Sequence, residues 1–105
     1  MRLENKIAIV TGANSGIGEA TVKLFAKEGA TVVMTARRQS ELDRVAKEIY
    51  QETPTAKLKI IAADVTVEAD CKKIADETAK EFGRIDILVN NAGIADKHMP
   101  ITKCS

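Results

Sequence analysis

Four short apolar runs recur at similar intervals along this 105-residue chain: Ile7-Ala8-Ile9-Val10, Thr31-Val32-Val33-Met34, Leu58-Lys59-Ile60-Ile61-Ala62 and Ile85-Asp86-Ile87-Leu88-Val89. They are nearly continuous rather than alternating, and three of them are rich in Val and Ile. Strands covered on both faces read this way, whereas a strand with one wet face alternates apolar and polar residues. Between the runs lie three stretches with helical spacing. Leu42, Val45, Ala46 and Ile49 follow the i, i+3, i+4, i+7 pattern, as do Val67, Cys71, Ile74, Ala75, Thr78 and Phe82. Ile17, Thr21, Leu24 and Phe25 follow it less cleanly. Ser40 and Thr66 stand where N-caps are wanted, with Glu41 and Glu68 in the electropositive first turns. Gly29 and Gly83 stand where left-handed C-caps are wanted, and Pro54 lies in the polar connection after the second helix.

The order β-α-β-α-β-α-β predicts an α/β fold. Parallel strands joined by right-handed crossovers form an open, doubly wound sheet with helices on both faces. At 105 residues the chain is expected to form one unit, with residues 1–94 making the alternating elements and 95–105 opening the loop after the fourth strand. A net charge of +1 and 3% aromatic residues provide neither the field nor the stacking surfaces that nucleic acid or an anionic membrane would require. The mixed-charge start Met1-Arg2-Leu3-Glu4-Asn5-Lys6 and the shortness of the run after it argue against a secretory signal, and no apolar run is long enough to span a bilayer. The expected compartment is the cytoplasm. Cys71 and Cys104 form neither a CxxC pair nor a metal cluster, and are expected to be free thiols. No metal site is expected.

The first strand runs directly into Thr11-Gly12-Ala13-Asn14-Ser15-Gly16-Ile17-Gly18, with a helix following at once. A nucleotide diphosphate needs close backbone approach and free N–H groups aimed at it; glycine supplies the first and a helix N-terminus the second. Gly12 suits the tight turn off the strand, Gly16 the close approach and Gly18 the packing of helix on strand, while Ser15 offers a hydroxyl to phosphate. The spacing is G-x-x-x-G-x-G rather than the commoner dinucleotide G-x-G-x-x-G. No Gly-Lys-Ser/Thr follows, which excludes a triphosphatase loop. A glycine-rich turn without a ligand is the plainer alternative, but the position between a buried strand and a helix favours binding.

This octet, together with Asn90-Asn91-Ala92-Gly93 at the end of the fourth strand, resembles the paired motifs of the short-chain dehydrogenase/reductase family; the likeness runs from about Leu3 to Ile94. It implies a Rossmann-type sheet in strand order 3-2-1-4 and a nicotinamide dinucleotide as ligand, held by Gly12, Asn14, Ser15, Gly16, Ile17 and Gly18. The second strand ends at Thr35-Ala36-Arg37-Arg38. A carboxylate there would accept from the 2′-hydroxyl of NAD, whereas arginine accommodates the 2′-phosphate of NADP. With Ala36 in the acidic position and Arg37 directly after it, the resemblance implies a preference for NADP(H), with Arg38 as a weaker second candidate; a solvated loop pair is the alternative. By the same resemblance Asp64 accepts from the adenine amino group and Val65 packs on the ring, though Asp64 could instead be a turn residue or the partner of Thr66. Asn91 would lie near the cofactor ribose, while Ala92 and Gly93 would leave room for the dinucleotide, against a purely structural turn.

The resemblance also exposes a gap. The family's proton donor is a tyrosine with a lysine four residues later and a serine upstream. The only tyrosine here is Tyr50, and Pro54 stands four residues on, so no catalytic residue is assigned. His98, without a nearby partner in sequence, reads as an exposed loop residue, the charge run Asp76 to Glu81 as a solvated helix face and Cys104 as inert. The expected protein is therefore a truncated, fragment-like portion of an NADP(H)-dependent oxidoreductase acting on an alcohol or carbonyl, carrying dinucleotide binding alone. The parent would be a homo-oligomer, and the isolated chain could self-associate through the fourth strand, left as an unpaired edge. Two alternatives stay open: a non-catalytic NADP(H)-binding module, and an interaction subunit completed by another chain.

Overall fold

A computed structural model describes residues 3–14 and 16–90. The elements alternate as β1 (Ile7–Thr11), α1 (Gly16–Lys27), β2 (Thr31–Ala36), α2 (Gln39–Glu52), β3 (Lys57–Ala62), α3 (Glu68–Phe82) and β4 (Ile87–Asn90). The strands form one parallel sheet in the order β3-β2-β1-β4. The expected doubly wound α/β sheet is therefore present. All five residues of β1 and all six of β2 are buried. Their side chains alternate between two cores. Val10, Val32 and Met34 meet Val22 and Ala26 of α1 and Leu42, Val45 and Ile49 of α2, while Ile9, Val33 and Ile61 meet Ile74 of α3 on the opposite face.

The outer strands depart from the expectation of burial on both faces. In β3, Lys57 and Lys59 alternate with Leu58 and Ile60, and Lys59 reaches Glu81 of α3 at 2.7 Å. Lysines on an edge strand discourage pairing with another chain. β4 begins at Ile87 rather than Ile85, because Asp86 is occupied with β1. Its N–H donates to the Ile7 carbonyl at 2.9 Å, and its Oδ2 accepts the Ile7 N–H at 2.8 Å. Arg84 closes the same corner, donating to Asp86 Oδ2 at 3.0 Å and to the Asn5 carbonyl.

The apolar positions expected for α2 and α3 face the cores, but those expected for α1 do not. Its buried face is Gly18, Val22 and Ala26, at i, i+4 and i+8. Ile17 is 64% exposed and Leu24 56%, and of the expected four only Phe25 packs on the core. Small residues let the helix settle close to the strands, and the bulky residues that dominate the sequence pattern point elsewhere. The N-caps are also displaced by one or two residues. Arg38 and Val67 occupy them without side-chain capping bonds, in place of Ser40 and Thr66. The C-caps fall as expected. At Gly29 (φ 94°) the Gly29 N–H bonds the Ala26 carbonyl and the Ala30 N–H the Phe25 carbonyl, the paired bonds of a Schellman ending. Gly83 (φ 81°) ends α3. Cys71 is disulfide-bonded, so the expectation of a free thiol does not hold there. Cys104 and His98 lie outside the described residues.

The buried hydroxyl of Thr35, on β2, has no hydrogen-bond partner among the described residues. A buried polar atom left unpaired costs free energy that a methyl group does not. Thr35→Val is therefore expected to raise stability by about 1 kcal/mol in urea denaturation; a loss of similar size would show that the hydroxyl has a structural partner.

Candidate functional site

Because all the strands run the same way, their C-terminal ends gather along one edge of the sheet. There the turn after β1, Arg37 after β2 and Asp64 after β3 stand in spatial order. The turn leaves Thr11 with Gly12 at φ 63° and re-enters regular structure at Gly16, φ 47°. Both angles lie in the left-handed region, which a side chain disfavours. A Cβ built on Gly16 would meet nothing within 4 Å. The glycine is thus needed for its backbone angle and for the open space above it, with no neighbouring side chain demanding the room. A helix N-terminus left open in this way has the backbone groups to receive an anion.

Neighbouring elements hold the turn in place. Ala13 is fully buried and its N–H donates to the Thr35 carbonyl at 3.2 Å. Thr11 Oγ1 donates to the Val89 carbonyl at 3.3 Å, tying the end of β1 to β4. From the side, the Arg44 guanidinium on α2 donates to the Asn14 carbonyl at 3.2 Å. Nothing in the sequence pattern singled out Arg44; only the packing of α2 beside α1 reveals it. Gly18 is buried on the sheet face of α1, while Ile17 projects outward beside the turn.

Arg37 and Arg38 are both exposed at the end of β2. Across the edge, Asp64 Oδ1 accepts the Thr66 N–H at 2.9 Å and the Thr66 hydroxyl at 2.6 Å, while the Asp64 N–H donates to Asp70 Oδ2 at 2.8 Å. The partnership with Thr66 left open by the sequence is therefore real and explains why Thr66 does not cap α3. Asp64 Oδ2 accepts no hydrogen bond from the described residues. Hydrogen bonds from Thr66 hold the Asp64 carboxyl below the usual carboxylate range, and the positive charge of Arg37 adds to the effect. Val65 is half-buried and packs against the α3-side core. Ser15, Asn91, Ala92 and Gly93 lie outside the described residues. Tyr50 sits near the end of α2, at the opposite end of the sheet from this edge. Among the described residues no cluster of His, Cys, Asp or Glu could hold a metal, and no helix is long and apolar enough to cross a membrane.

A carboxyl whose folded-state pKa is lowered contributes stability that is fully present above its unfolded-state pKa and is lost as pH falls through the folded-state value. Asp64→Asn keeps an acceptor for Thr66 but removes the titrating charge, so the acid limb of the stability curve should become shallower. Superimposable pH–stability curves from chemical denaturation would contradict this.

Comparison with known proteins gives a consistent result. Residues 6–105 match the sequence model of a family described as short chain dehydrogenase. An 11-beta-hydroxysteroid dehydrogenase A from Sesamum indicum is 44% identical over 94 residues, covering 90% of this chain but 27% of the relative. A metagenomic short-chain oxidoreductase solved in complex with NADP superimposes with a TM-score of 0.82 at 35% identity, covering 90% of this chain and 42% of the other. A 3-ketoacyl-(acyl-carrier-protein) reductase from Brucella melitensis, complexed with NADH, gives 0.69 at 41% identity, covering 81% and 33%.

Proposed function

This chain belongs to the short chain dehydrogenase family, and from that footing we propose that it is the dinucleotide-binding portion of an oxidoreductase that uses NADP(H) on an alcohol or carbonyl substrate. The observation that carries the reading is the turn after β1, where Gly12 and Gly16 take left-handed angles and the space above Gly16 is open. Gly12, Asn14, Ser15, Gly16, Ile17 and Gly18 would hold the diphosphate. Asp64 and Val65 would receive the adenine. Asn91 would lie near the ribose, and Ala92 and Gly93 would leave room for the dinucleotide. When bound, the nicotinamide supplies or accepts hydride; every contribution of the described residues is to bind and orient.

The preference for NADP(H) rests on the end of β2, where a cation follows Ala36 and no carboxylate is available to a 2′-hydroxyl. Relatives of this fold bind either cofactor, one solved with NADP and another with NADH, so this strand end is the feature that would decide. Residues 1–105 would act as one binding unit without the tyrosine–lysine pair that proton transfer in this family requires, since Tyr50 has Pro54 four residues later.

The outer edge of β4 pairs with no strand among the described residues, which supports a working form in which further strands extend the sheet. Unlike β3 it carries no lysine, Leu88 and Ile85 are 39% and 40% exposed, and a hollow of about 60 Å³ between this strand and α3 is lined by Ile9, Ile74, Ala75, Ile85 and Leu88. Self-association through this edge is the behaviour expected when nothing else covers it.

Because the adenosine and diphosphate contacts lie in this chain, 2′-phospho-ADP-ribose should bind about as tightly as NADPH in calorimetry; a strong preference for NADPH would overturn this division of labour. Arg37→Ala should weaken NADPH by about 10- to 150-fold, the worth of a charge-assisted hydrogen bond, and leave NADH unchanged. Equal losses for both cofactors would remove Arg37 from the phosphate site.

A further inference from the structure

We propose that Arg44 is a positioning residue of the dinucleotide site, holding from α2 the backbone of the glycine turn at the Asn14 carbonyl; this rests on the binding function proposed above. Arg44 lies in the second turn of α2, six residues beyond Arg38 and thirty beyond the Asn14 it contacts. Its guanidinium donates from NH1 to Glu48 Oε2 at 2.8 Å, and from NH2 to Glu19 Oε1 and the Asn14 carbonyl, both at 3.2 Å. Its Nε stands 4.0 Å from Glu41 Oε2. One planar fork therefore joins α2, α1 and the turn between β1 and α1. Glu19 and Glu48 are in turn held by Lys23, at 3.0 and 3.2 Å.

Surface ion pairs of this kind add little to stability, because solvent screens them and the long side chains lose freedom. The contact with consequence is the one to the Asn14 carbonyl. Holding the Asn14 carbonyl toward α2 pins the backbone that leaves Gly12 and Ala13, so the described part of the turn is fixed before any ligand arrives. The two acids serve the same end: Glu48 and Glu19 restrict where the guanidinium can go, so its remaining donor stays aimed at the turn. Lysine cannot substitute fully, since a point charge lacks the planar fork that meets two carboxylates and a carbonyl together.

The test uses the 105-residue chain with two probes, NADPH and adenosine 2′-monophosphate, titrated while amide NMR shifts are followed. The second probe lacks a diphosphate, so it reports the adenosine end alone. Arg44→Gln is expected to weaken NADPH by about three- to tenfold, the loss of part of a preorganised hydrogen bond, while adenosine 2′-monophosphate binds within twofold of wild type. Arg44→Lys, which preserves the charge facing the three acids, should show a smaller loss confined to the same probe; it decides the matter should the glutamine variant fail to fold. Unchanged NADPH affinity in a folded variant, or equal loss for both probes, overturns the positioning role while leaving the proposed binding function intact. A wild-type chain that binds neither probe overturns the binding function and this inference together.

Discussion

The structure depends on β1 having no exposed side. It is hydrogen-bonded to β2 along one edge and to β4 along the other, and its five residues are buried between α1 and α2 on one face and α3 on the other. A strand enclosed in this way admits a polar side chain only where it finds a partner: Ile7-Ala8-Ile9-Val10 contains none, and Thr11 at its end donates its hydroxyl to the Val89 carbonyl. Parallel pairing on both edges forces each connection to cross back over the sheet, which is what the helices do. The same arrangement sets all the strand C-termini on one edge. The turn after β1, Arg37 and Asp64 are brought together by topology, from positions more than twenty residues apart in sequence.

At that edge the chain leaves β1 through a turn whose shape is imposed from several directions. The Thr35 carbonyl holds it from below and Arg44 from the side, while two glycines accept angles that other residues resist. The turn is therefore a small assembly drawing on β1, β2, α1 and α2. Loops that bind anions through backbone amides gain from such external fixing, since amides aimed in advance need no reordering when the ligand arrives.

Much of this was legible in the amino-acid sequence, and the failures share a cause. Runs of Val and Ile locate strands because burial on two faces leaves no room for alternation, and the glycine spacing locates the turn because few other residues accept its angles. The helix α1 misled because its sheet face is built from Gly18, Val22 and Ala26, small residues that carry little weight in a hydrophobic pattern, while Ile17 and Leu24 look like core and are exposed. The capping residues misled because Thr66 has a competing partner in Asp64, and local side-chain bonds of that kind are not visible in spacing. The apolar run in β3 suggests burial on both faces, although Lys57 and Lys59 mark it as an edge. Arg44 was invisible for the most general reason: its importance comes from packing between elements thirty residues apart.

The central claim is that a diphosphate meets backbone amides at the turn between β1 and α1. The most direct measurement is the map of amide chemical-shift changes produced by NADP⁺ in the isotopically labelled chain. The changes should be largest at Gly12 and from Gly16 to Gly18, extend to Arg37, Asp64 and Val65, and leave the outer face of α2 around Lys47 and Gln51 undisturbed. Saturable changes centred on α2 or the β4 edge, with the turn amides unmoved, would contradict the account.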